Sequence, residues 1–461
     1  MKSFLCYLLF IALFSSSKAV DFYIDSIGGR SCDQVCHQYH KICTGTGHGF
    51  SPVSARPVFH RLGISCGPEN ETDHYASSDS PGYVQLEGES YDLCFGFKGI
   101  PDQIDCSAAG GNLDVKRLCP CVQGDFVQFQ NIPTLEGCTN VEHFSIDDKM
   151  YLAFSRTRAY RVYRAGTQIF RLEGNTFVLH QTLKSTYNGP EQAKYFHIDG
   201  RHYMAIPYLK SSKTVIFEWY KNYFQSYQEL ECGFAALSST FFEINSSKYL
   251  AIYGYNILYL YKWNGIDFIK VHTLRITKAF ITECKTFQPR NDTYLICAVW
   301  GGLEKSLVFK WTGTRFVYHQ EIFGIEYASS AELIQLDNQT NALVFAQRQH
   351  GSGPDMLNVN SPVYIWNTTK SMFQIDRALS FPTQGASACR SFRIGVDLYL
   401  IVAQSGAKES IIYGYRGGRF VVYQRLKAAF ADDATVFTYK RMHYIALATK
   451  NMKSSPVFIW N

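Results

Sequence analysis

The feature that most constrains this chain is an internal repeat that runs through its last two-thirds. An anchor dipeptide, most often Tyr-Leu, recurs every 45 to 57 residues within a short apolar run. A repeat of this length indicates one supersecondary unit per copy, and such units bury their apolar faces only by packing on their neighbours. The seven copies are Tyr151-Leu152, Tyr203-Met204, Tyr249-Leu250, Tyr294-Leu295, Ala342-Leu343, Tyr399-Leu400 and Tyr444-Ile445.

Each copy contains four segments that are typical of short antiparallel strands. A polar strand with an aromatic residue near its end comes first, and the anchor strand follows it. A third strand such as YRVYR (residues 160–164) or VIFEW comes next, and a strand that holds an aromatic residue and a glutamine, such as GTRFVYHQ, comes last. Turn formers separate the segments, which predicts β-hairpins. Four strands per copy and seven copies predict a mainly all-β chain with a seven-bladed β-propeller over residues 125–461.

The two ends of the repeat region complement each other. The region opens with a segment of the fourth kind, FVQFQ at residues 126–130, and the seventh copy stops after a third strand, PVFIWN. Pairing these two segments would close the ring without leaving a strand edge open. We therefore predict that residues 126–130 complete the seventh blade.

The repeat resembles the epitempin (EAR, or EPTP) repeat of the leucine-rich glioma-inactivated proteins and related secreted or cell-surface proteins. The resemblance covers residues 126–461 and rests on the sevenfold Tyr-Leu pattern. It implies a seven-bladed propeller that binds cell-surface receptors or other extracellular proteins and has no enzymatic activity. The N-terminal region shows no leucine-rich repeats and departs from that family, so the receptors of those relatives cannot be carried over.

The first residues predict secretion. Lys2 precedes an apolar run from Phe4 to Phe14, and small residues at Ser17 and Ala19 suit a cleavage site, so residues 1–19 are predicted to be a signal peptide. A transmembrane anchor is the alternative, but the run is shorter than the roughly 20 apolar residues that cross a bilayer. The net charge of +6 is spread over the chain without a basic block, which argues against nucleic acid as a partner.

Cysteine usage divides the chain. Eight cysteines fall in the region of residues 20–124, and an even number in an oxidising compartment predicts a small domain in which they pair among themselves as four disulfides. A zinc site that uses His37 and His40 is the alternative. The eight are Cys32, Cys36, Cys43, Cys66, Cys94, Cys106, Cys119 and Cys121.

The repeats hold five more cysteines. Cys284 and Cys297 flank a hairpin whose turn is Pro289 to Asp292, so they face each other in the ladder. Directly opposed β-carbons lie about 4.5–5.5 Å apart, which predicts a disulfide after modest adjustment. The other three are Cys138, Cys232 and Cys389. Because three is odd, at least one of them is a thiol, or bridges to the N-terminal domain or to another chain.

Five N-glycosylation sequons predict a glycoprotein, and glycosylated positions must be exposed. Three of them lie in the same turn of successive repeats, just before the Tyr-Leu strand. One rim of the propeller would therefore carry sugar, so the opposite rim or the central opening is the better candidate for protein contact. The five acceptors are Asn70, Asn245, Asn291, Asn338 and Asn367.

Acidic residues recur shortly before the aromatic residue of the first strand. Glu142, Glu283, Glu332 and Asp433, with Asp432 beside it, would converge if the innermost strands line a central channel. Calcium prefers such oxygen ligands, which makes a calcium site one interpretation. Solvated channel walls are the other interpretation, and no further cofactor is predicted.

The sequence lacks the G-x-S-x-G, H-E-x-x-H, P-loop and dinucleotide-binding motifs. The leading hypothesis is a secreted, extracellular, non-enzymatic adhesion protein or receptor ligand. Its partner would be an extracellular protein or a cell-surface receptor, bound around the insertion from Gln347 to Asn360. One alternative is a matrix component that a spare cysteine cross-links into a covalent oligomer. A less favoured alternative is a propeller hydrolase that acts on glycans.

Overall fold

The computed structural model describes residues 20–39, 41–43, 55–68, 80–95, 105–134, 137–155, 166–184, 187, 189–301, 305–351, 353, 355–450 and 452–461. The predicted signal peptide and the sequon at Asn70 lie outside these residues. The chain divides into two compact units: residues 1–125 together with Asn461, and residues 126–460. No helix in the described part of the chain is long and apolar enough to span a bilayer.

The first unit is a small sheet with two short helices. Its sheet has the strand order β1-β5-β3-β4, with β2 also paired to β5. Ser31 begins α1 with a capping box, because its side chain accepts from the Gln34 N–H while the Gln34 side chain accepts from the Ser31 N–H. The elements are β1 (Val20–Ile24), α1 (Cys32–Gln38), β2 (Lys41–Cys43), α2 (Ala55–Arg61), β3 (Gly82–Val84), β4 (Leu93–Phe95) and β5 (Lys116–Gln123).

Four disulfides link the first unit, and they use all eight of its cysteines. Disulfides stabilise a domain chiefly by restricting its unfolded chain. The only group of three potential metal ligands in the described residues is Asp33 with Cys43 and Cys106, and those two cysteines form one of the disulfides. The pairs are Cys32–Cys119, Cys36–Cys121, Cys43–Cys106 and Cys66–Cys94.

The second unit is a seven-bladed β-propeller, which confirms the predicted fold. Its strands are β6 (Phe126–Pro133), β7 (Asn140–Ile146), β8 (Lys149–Ser155), β9 (Thr167–Glu173), β10 (Thr176–Leu183), β11 (Lys194–Ile198), β12 (Arg201–Tyr208), β13 (Lys213–Tyr220), β14 (Tyr223–Glu231), β15 (Ala236–Ile244), β16 (Ser247–Trp263), β17 (Phe268–Phe287), β18 (Tyr294–Trp300), β19 (Ser306–Trp311), β20 (Phe316–Ile322), β21 (Ala328–Gln335), β22 (Asn341–Gln347), β23 (Asn358–Asn367), β24 (Met372–Gln384), β25 (Ala386–Ile394), β26 (Asp397–Gln404), β27 (Glu409–Arg416), β28 (Arg419–Lys427), β29 (Ala431–Tyr439), β30 (Met442–Thr449) and β31 (Ser454–Trp460).

The strands form antiparallel blades, each with its first strand innermost. Blades 1 and 2 are β7–β10 and β11–β14, and blades 5 and 6 are β21–β24 and β25–β28. Blades 3 and 4 share one six-stranded sheet, because β16 supplies two strands of blade 3 and β17 runs from blade 3 into blade 4. Contacts between neighbouring first strands run around the whole ring, including β29 against β7.

The seventh blade closes the ring. It consists of β29, β30, β31 and the early strand β6, and Phe126 lies opposite Trp460 in the ladder. The fourth strand of this blade thus comes from the start of the repeat region, and no edge is left for an eighth blade.

Two-residue turns join the first and second strands of several blades. Asp147 and Asp148 of blade 1 both have positive φ, and so do Asn245 and Ser246 of blade 3. Such turns match the twist of paired strands, and Asn and Asp tolerate this backbone conformation better than other side chains. The turn formers in each repeat therefore set the strand register.

Apolar side chains fill the space between neighbouring blades. One cluster joins Val344 and Val363 of blade 5 to Leu400 and Val402 of blade 6, and all four are fully buried. Equivalent clusters lie between the other blades. Each blade thus buries its two faces against its neighbours, as the repeat pattern requires.

A glutamine in the fourth strand also links five pairs of blades. In each case its side-chain amide donates to the carbonyl oxygen of a phenylalanine in the next blade and accepts from the N–H of the same residue, at 2.7–3.0 Å. We call this arrangement the glutamine clamp. The pairs are Gln130–Phe177, Gln181–Phe224, Gln228–Phe268, Gln320–Phe373 and Gln424–Phe126.

Candidate binding site at the channel mouth

The propeller has two faces that differ in their connections. Because consecutive strands are antiparallel, the turns between first and second strands lie on the same face as those between third and fourth strands. The longer connections lie on the opposite face. Asn245, Asn291 and Asn338 occupy first–second turns, and Asn367 begins the third–fourth turn of blade 5. All four sequons of the described propeller thus share one face, and we call the other the sequon-free face.

The sequon residues differ in exposure. Asn245, Asn291 and Asn338 are exposed, as glycosylation requires. Asn367 is half-buried; its side chain donates to Gln374 Oε1 at 3.0 Å and accepts from the N–H of Thr369. Glycosylation at these positions stays a prediction.

A cavity of about 550 Å³ opens at the centre of the sequon-free face, where the first strands begin. All seven blades contribute to its wall, which identifies it as the mouth of the central channel. The residues from the first strands or just before them are Thr139, Gln192, Leu237, Thr282, Ser329, Ser387 and Asp432.

Five of these residues occupy β-bulges. The ladder between first and second strands skips Leu237, Thr282, Ser329, Ser387 and Asp432, one residue in each of blades 3 to 7. A bulge adds one residue to a strand and turns its side chain away from the regular alternation. The same irregularity, repeated at one position in five blades, supplies the side chains that line the mouth.

Charged residues of both signs meet at the mouth. The Asp432 carboxylate lies 3.1 Å from Lys450 Nζ and 3.9 Å from Arg348 Nη1. The Arg348 guanidinium lies over the Trp300 ring, with 5.4 Å between its central carbon and the ring centroid. Glu191 is buried in the same wall. The mouth therefore offers cations, carboxylates and an aromatic surface within one cavity.

Further along the first strands, a buried ionic network crosses the channel. Arg390 of blade 6 lies 2.9 Å from Asp433 of blade 7 and 3.3 Å from Glu283 of blade 4, and it donates to Ser330 Oγ of blade 5 at 3.0 Å. Asp433 also accepts from the Asn140 side chain of blade 1 at 2.7 Å. One guanidinium thus joins side chains of several blades.

The carboxylates that we considered as calcium ligands all have cationic partners. Lys194 lies 2.9 Å from Glu142, and Lys285 lies 3.3 Å from Glu332. Arg390 pairs with Glu283 and Asp433, as described above. A calcium ion would have to displace these cations, and calcium in the channel stays a prediction.

The network shifts the pKa values of its members. Burial acts to raise the pKa of Glu283, but Arg390, Lys285 and hydrogen bonds to the carboxylate outweigh it and lower that pKa to about 2. Burial opposes the charge of Lys285, yet Glu283 and Glu332 raise its pKa above the ordinary value. Burial raises the pKa of Asp433, and Arg390 offsets part of this effect. Glu283 and Lys285 therefore stay charged at neutral pH.

The insertion from Gln347 to Asn360 is the second–third connection of blade 5 and lies on the sequon-free face. It lines a cavity of about 550 Å³, and its last three residues belong to β23 and border a second cavity of about 740 Å³. His350 lies 3.1 Å from Glu326 at this site. The insertion and the channel mouth are thus two candidate contact regions on one face.

The cysteines of the propeller fall into two groups. Cys284 lies opposite Cys297 in blade 4, and the two form a disulfide. Cys138, Cys232 and Cys389 are buried thiols. Burial raises the pKa of Cys232 to about 11, so this thiol is protonated and poorly reactive at neutral pH.

The sequence did not single out Lys210, Trp300 and Lys450 as site residues, and it included Arg348 only as part of the insertion from Gln347 to Asn360. Each of them ends or follows the Tyr-Leu strand of its blade. Their shared place in the repeat is the signal that could have identified them.

The repeats match a known family. An EPTP domain model matches residues 125–173, 176–219 and 380–415. The chain therefore contains EPTP repeats. The resemblance inferred from the Tyr-Leu pattern is confirmed. Each matched segment begins at the fourth strand of one blade and continues through the first three strands of the next.

Curated relatives extend the comparison. The human "Leucine-rich repeat LGI family member 2" is 21% identical over 298 residues, which cover 62% of this chain and 50% of that protein. The mouse "Thrombospondin-type laminin G domain and EAR repeat-containing protein" is 26% identical over 152 residues, which cover 32% of this chain and 21% of that protein. The chain spans about half the length of LGI family member 2, so the comparison concerns only the aligned part of each protein.

A solved structure shares the fold. Sqt1 of Saccharomyces cerevisiae superposes with a TM-score of 0.50 and 7% sequence identity, covering 73% of this chain and 99% of Sqt1. At this identity the likeness concerns the fold and carries no functional argument.

Proposed function

We propose that this EPTP-repeat protein is secreted, has no enzymatic activity and binds an extracellular protein through the sequon-free face of its propeller. The observation that carries the proposal is the position of the cavities: the channel mouth and both cavities beside the insertion lie opposite the four sequons. Glycans would shield one face and leave the other open. The match to the EPTP model and the relatedness to LGI family member 2 support an extracellular binding role.

A disulfide-linked matrix component is less well supported. Interchain bonding needs a thiol at the surface, whereas Cys138, Cys232 and Cys389 are buried. A glycan hydrolase needs a free carboxylic acid as a proton donor. At the channel mouth, Asp432 is instead held between Lys450 and Arg348.

The test places one new glycan on each face. Lys210→Asn creates the sequon Asn-Ser-Ser in the exposed second–third turn of blade 2, at the channel mouth. Ile266→Thr creates Asn-Gly-Thr at Asn264 in the third–fourth turn of blade 3, on the face that already carries sequons. Binding of the tagged, full-length chain to intact cultured cells is measured by flow cytometry, and mass spectrometry verifies that each new site is occupied.

The first variant should lose binding and the second should keep it. The double change Lys210→Asn with Ser212→Ala removes the new sequon and separates the effect of the glycan from loss of the lysine. Trypsin treatment of the cells should abolish binding of the parent chain, since the proposed partner is a protein. Equal binding by both glycan variants would contradict the assignment of the face, and binding that survives trypsin would contradict a protein partner.

A further inference from the structure

Two polar atoms at the channel mouth have no hydrogen-bond partner among the described residues. Asp432 Oδ1 and Ser329 Oγ are buried, and neither makes a hydrogen bond to any described residue. The Asp432 side chain is only 10% exposed, and Arg348 approaches its Oδ1 no closer than 3.9 Å. Buried polar atoms are almost always hydrogen-bonded, because leaving one unmet costs free energy. The position therefore suits a ligand that donates to Asp432 and bonds to Ser329.

Hydroxyl groups from neighbouring blades surround these atoms. Thr282 donates to the carbonyl oxygen of Ala328 at 2.9 Å, and Ser387 donates to that of Gly385 at 3.4 Å. Their hydroxyl oxygens keep lone pairs that can accept from a ligand. Three bulges in successive blades thus present Thr282, Ser329 and Ser387 to one cavity.

The mixed charge of the mouth favours a neutral ligand. A partner's carboxylate would meet Arg348 and Lys450 but also the like charge of Asp432. A partner's ammonium group would meet Asp432 but also those two cations. Hydroxyl groups donate and accept, so a polyhydroxylated ligand can bond to both kinds of group without leaving a charge unpaired.

The volume of the mouth and the aromatic residues in its wall further indicate the class of ligand. Phe280 lines the cavity beside the polar groups, together with Trp300, whose ring Arg348 overlies. An aromatic surface offers a place for the C–H face of a sugar ring, while its hydroxyls reach the polar residues. A volume of about 550 Å³ falls in the range of small-ligand sites.

We infer that the channel mouth binds a neutral saccharide, with Asp432 and Ser329 as its central hydrogen-bonding groups. The inference rests on the proposed function for the source of the sugar, which would be a glycan of the partner protein. Binding itself depends on the cavity alone. Specificity would then come from the hydroxyl pattern that Thr282, Ser329 and Ser387 accept.

The experiment uses the full chain, trimmed of its own N-glycans, and simple probes. Methyl glycosides of glucose, galactose, mannose, N-acetylglucosamine and N-acetylgalactosamine are titrated by calorimetry and by ligand-observed NMR, with acetate and butylammonium as charged probes. At least one glycoside should bind saturably, with a Kd of about 1 mM or below. Ser329→Ala and Asp432→Asn should each weaken it at least about tenfold.

Controls separate binding from folding. Ser226→Ala changes an exposed hydroxyl in the fourth strand of blade 2 and should leave affinity unchanged. Asp432→Asn leaves Lys450 without its carboxylate partner. If that disturbs the fold, Ser329→Ala still tests the site, because it removes only a hydroxyl group. Three outcomes overturn the inference: no glycoside binds, a charged probe binds instead, or glycoside binding survives both variants.

The result can be distinguished from failure of the proposed function. If a glycoside binds to the purified chain but no cell-surface protein does, the saccharide site stands and the protein-binding role fails. If a cell-surface protein binds equally well after its glycans are removed and no glycoside binds, the proposed function stands and the saccharide site is wrong.

Discussion

Arg390 is the central cation of the buried ionic network in the described propeller core. Its guanidinium is four-fifths buried and contacts Glu283, Asp433 and Ser330, which come from three other blades. Glu283 owes its charge in this buried site to Arg390 and Lys285. Removing one member of such a network leaves the rest buried without compensation.

We therefore expect Arg390→Ala to destabilise the propeller strongly. Loss of one partner of a buried charge pair costs about 3–5 kcal/mol, and here Asp433 loses its cation while Glu283 keeps only Lys285. Urea unfolding followed by fluorescence measures the change. Arg315→Ala, the same substitution at an exposed arginine, is the control and should change stability by less than about 0.5 kcal/mol. A similar effect of the two substitutions would show that the network contributes nothing.

The lowered pKa of Glu283 predicts acid sensitivity. The ordinary value is 4.5 and the folded value is about 2. A carboxyl whose pKa falls on folding stabilises the protein above its unfolded pKa, and this stability is lost as pH falls from about 4.5 to about 2. The shift corresponds to about 3 kcal/mol. The unfolding temperature is measured at several pH values between 6 and 2. It should fall less steeply with decreasing pH for Glu283→Gln than for the parent chain. Parallel curves would contradict this role.

At the scale of the element, the glutamine clamps explain why a glutamine recurs in the fourth strand of most repeats. The recurring glutamine of the fourth strand follows its phenylalanine by four residues, and the structure shows that it bonds to the next blade. His272 of blade 3 and Arg377 of blade 5 occupy the same place. The His272 Nε2 atom is buried without a hydrogen bond to any described residue, and Arg377 lies exposed on a longer irregularity of β24.

Because β17 has the same one-residue irregularity near His272 as the clamped strands, His272→Gln should complete the clamp to Phe316. Two new hydrogen bonds should raise the free energy of unfolding by about 1–2 kcal/mol. Urea unfolding measures this change in free energy. His197→Gln, the same substitution at an exposed position, is the matched control. No gain over that control would show that blades 3 and 4 do not accept a clamp.

The hairpins were predictable from sequence because their contacts are local. Counting outward from the turn of blade 4 places Cys284 opposite Cys297, and the structure has that register. The prediction of the third strand of blade 1 was wrong. That strand is β9, Thr167–Glu173, whereas the predicted segment YRVYR lies outside the described residues. The segment TQIFRLE lacks the terminal aromatic residue of the other third strands, whereas YRVYR imitates their pattern.

At the scale of the whole molecule, contacts between blades escaped sequence analysis. Arg390 of blade 6 and Glu283 of blade 4 are 107 residues apart and meet at the channel, past the intervening blade 5. The bulges of the channel mouth interrupt strands whose sequences look regular. The number of blades follows from local repetition, but the channel chemistry depends on which side chains face the same axis.

The buried thiols give a prediction for the intact protein. Cys138, Cys232 and Cys389 should not react with a maleimide in the native state, and all three should react after denaturation, because burial blocks access. Mass spectrometry counts the added groups. Non-reducing electrophoresis should show a monomer. Rapid labelling of the native chain, or a ladder of covalent oligomers, would favour the matrix component instead.

The closing strand has a consequence for how the molecule is made. During translation β6 leaves the ribosome before any blade, but its partner β31 follows only after six blades have been synthesised. Until then the nascent ring cannot shut, and the first and last blades keep an exposed side. Long-range pairing of this kind slows folding and leaves apolar surface open to aggregation. Closure of the ring therefore requires the two ends of the repeat array to dock.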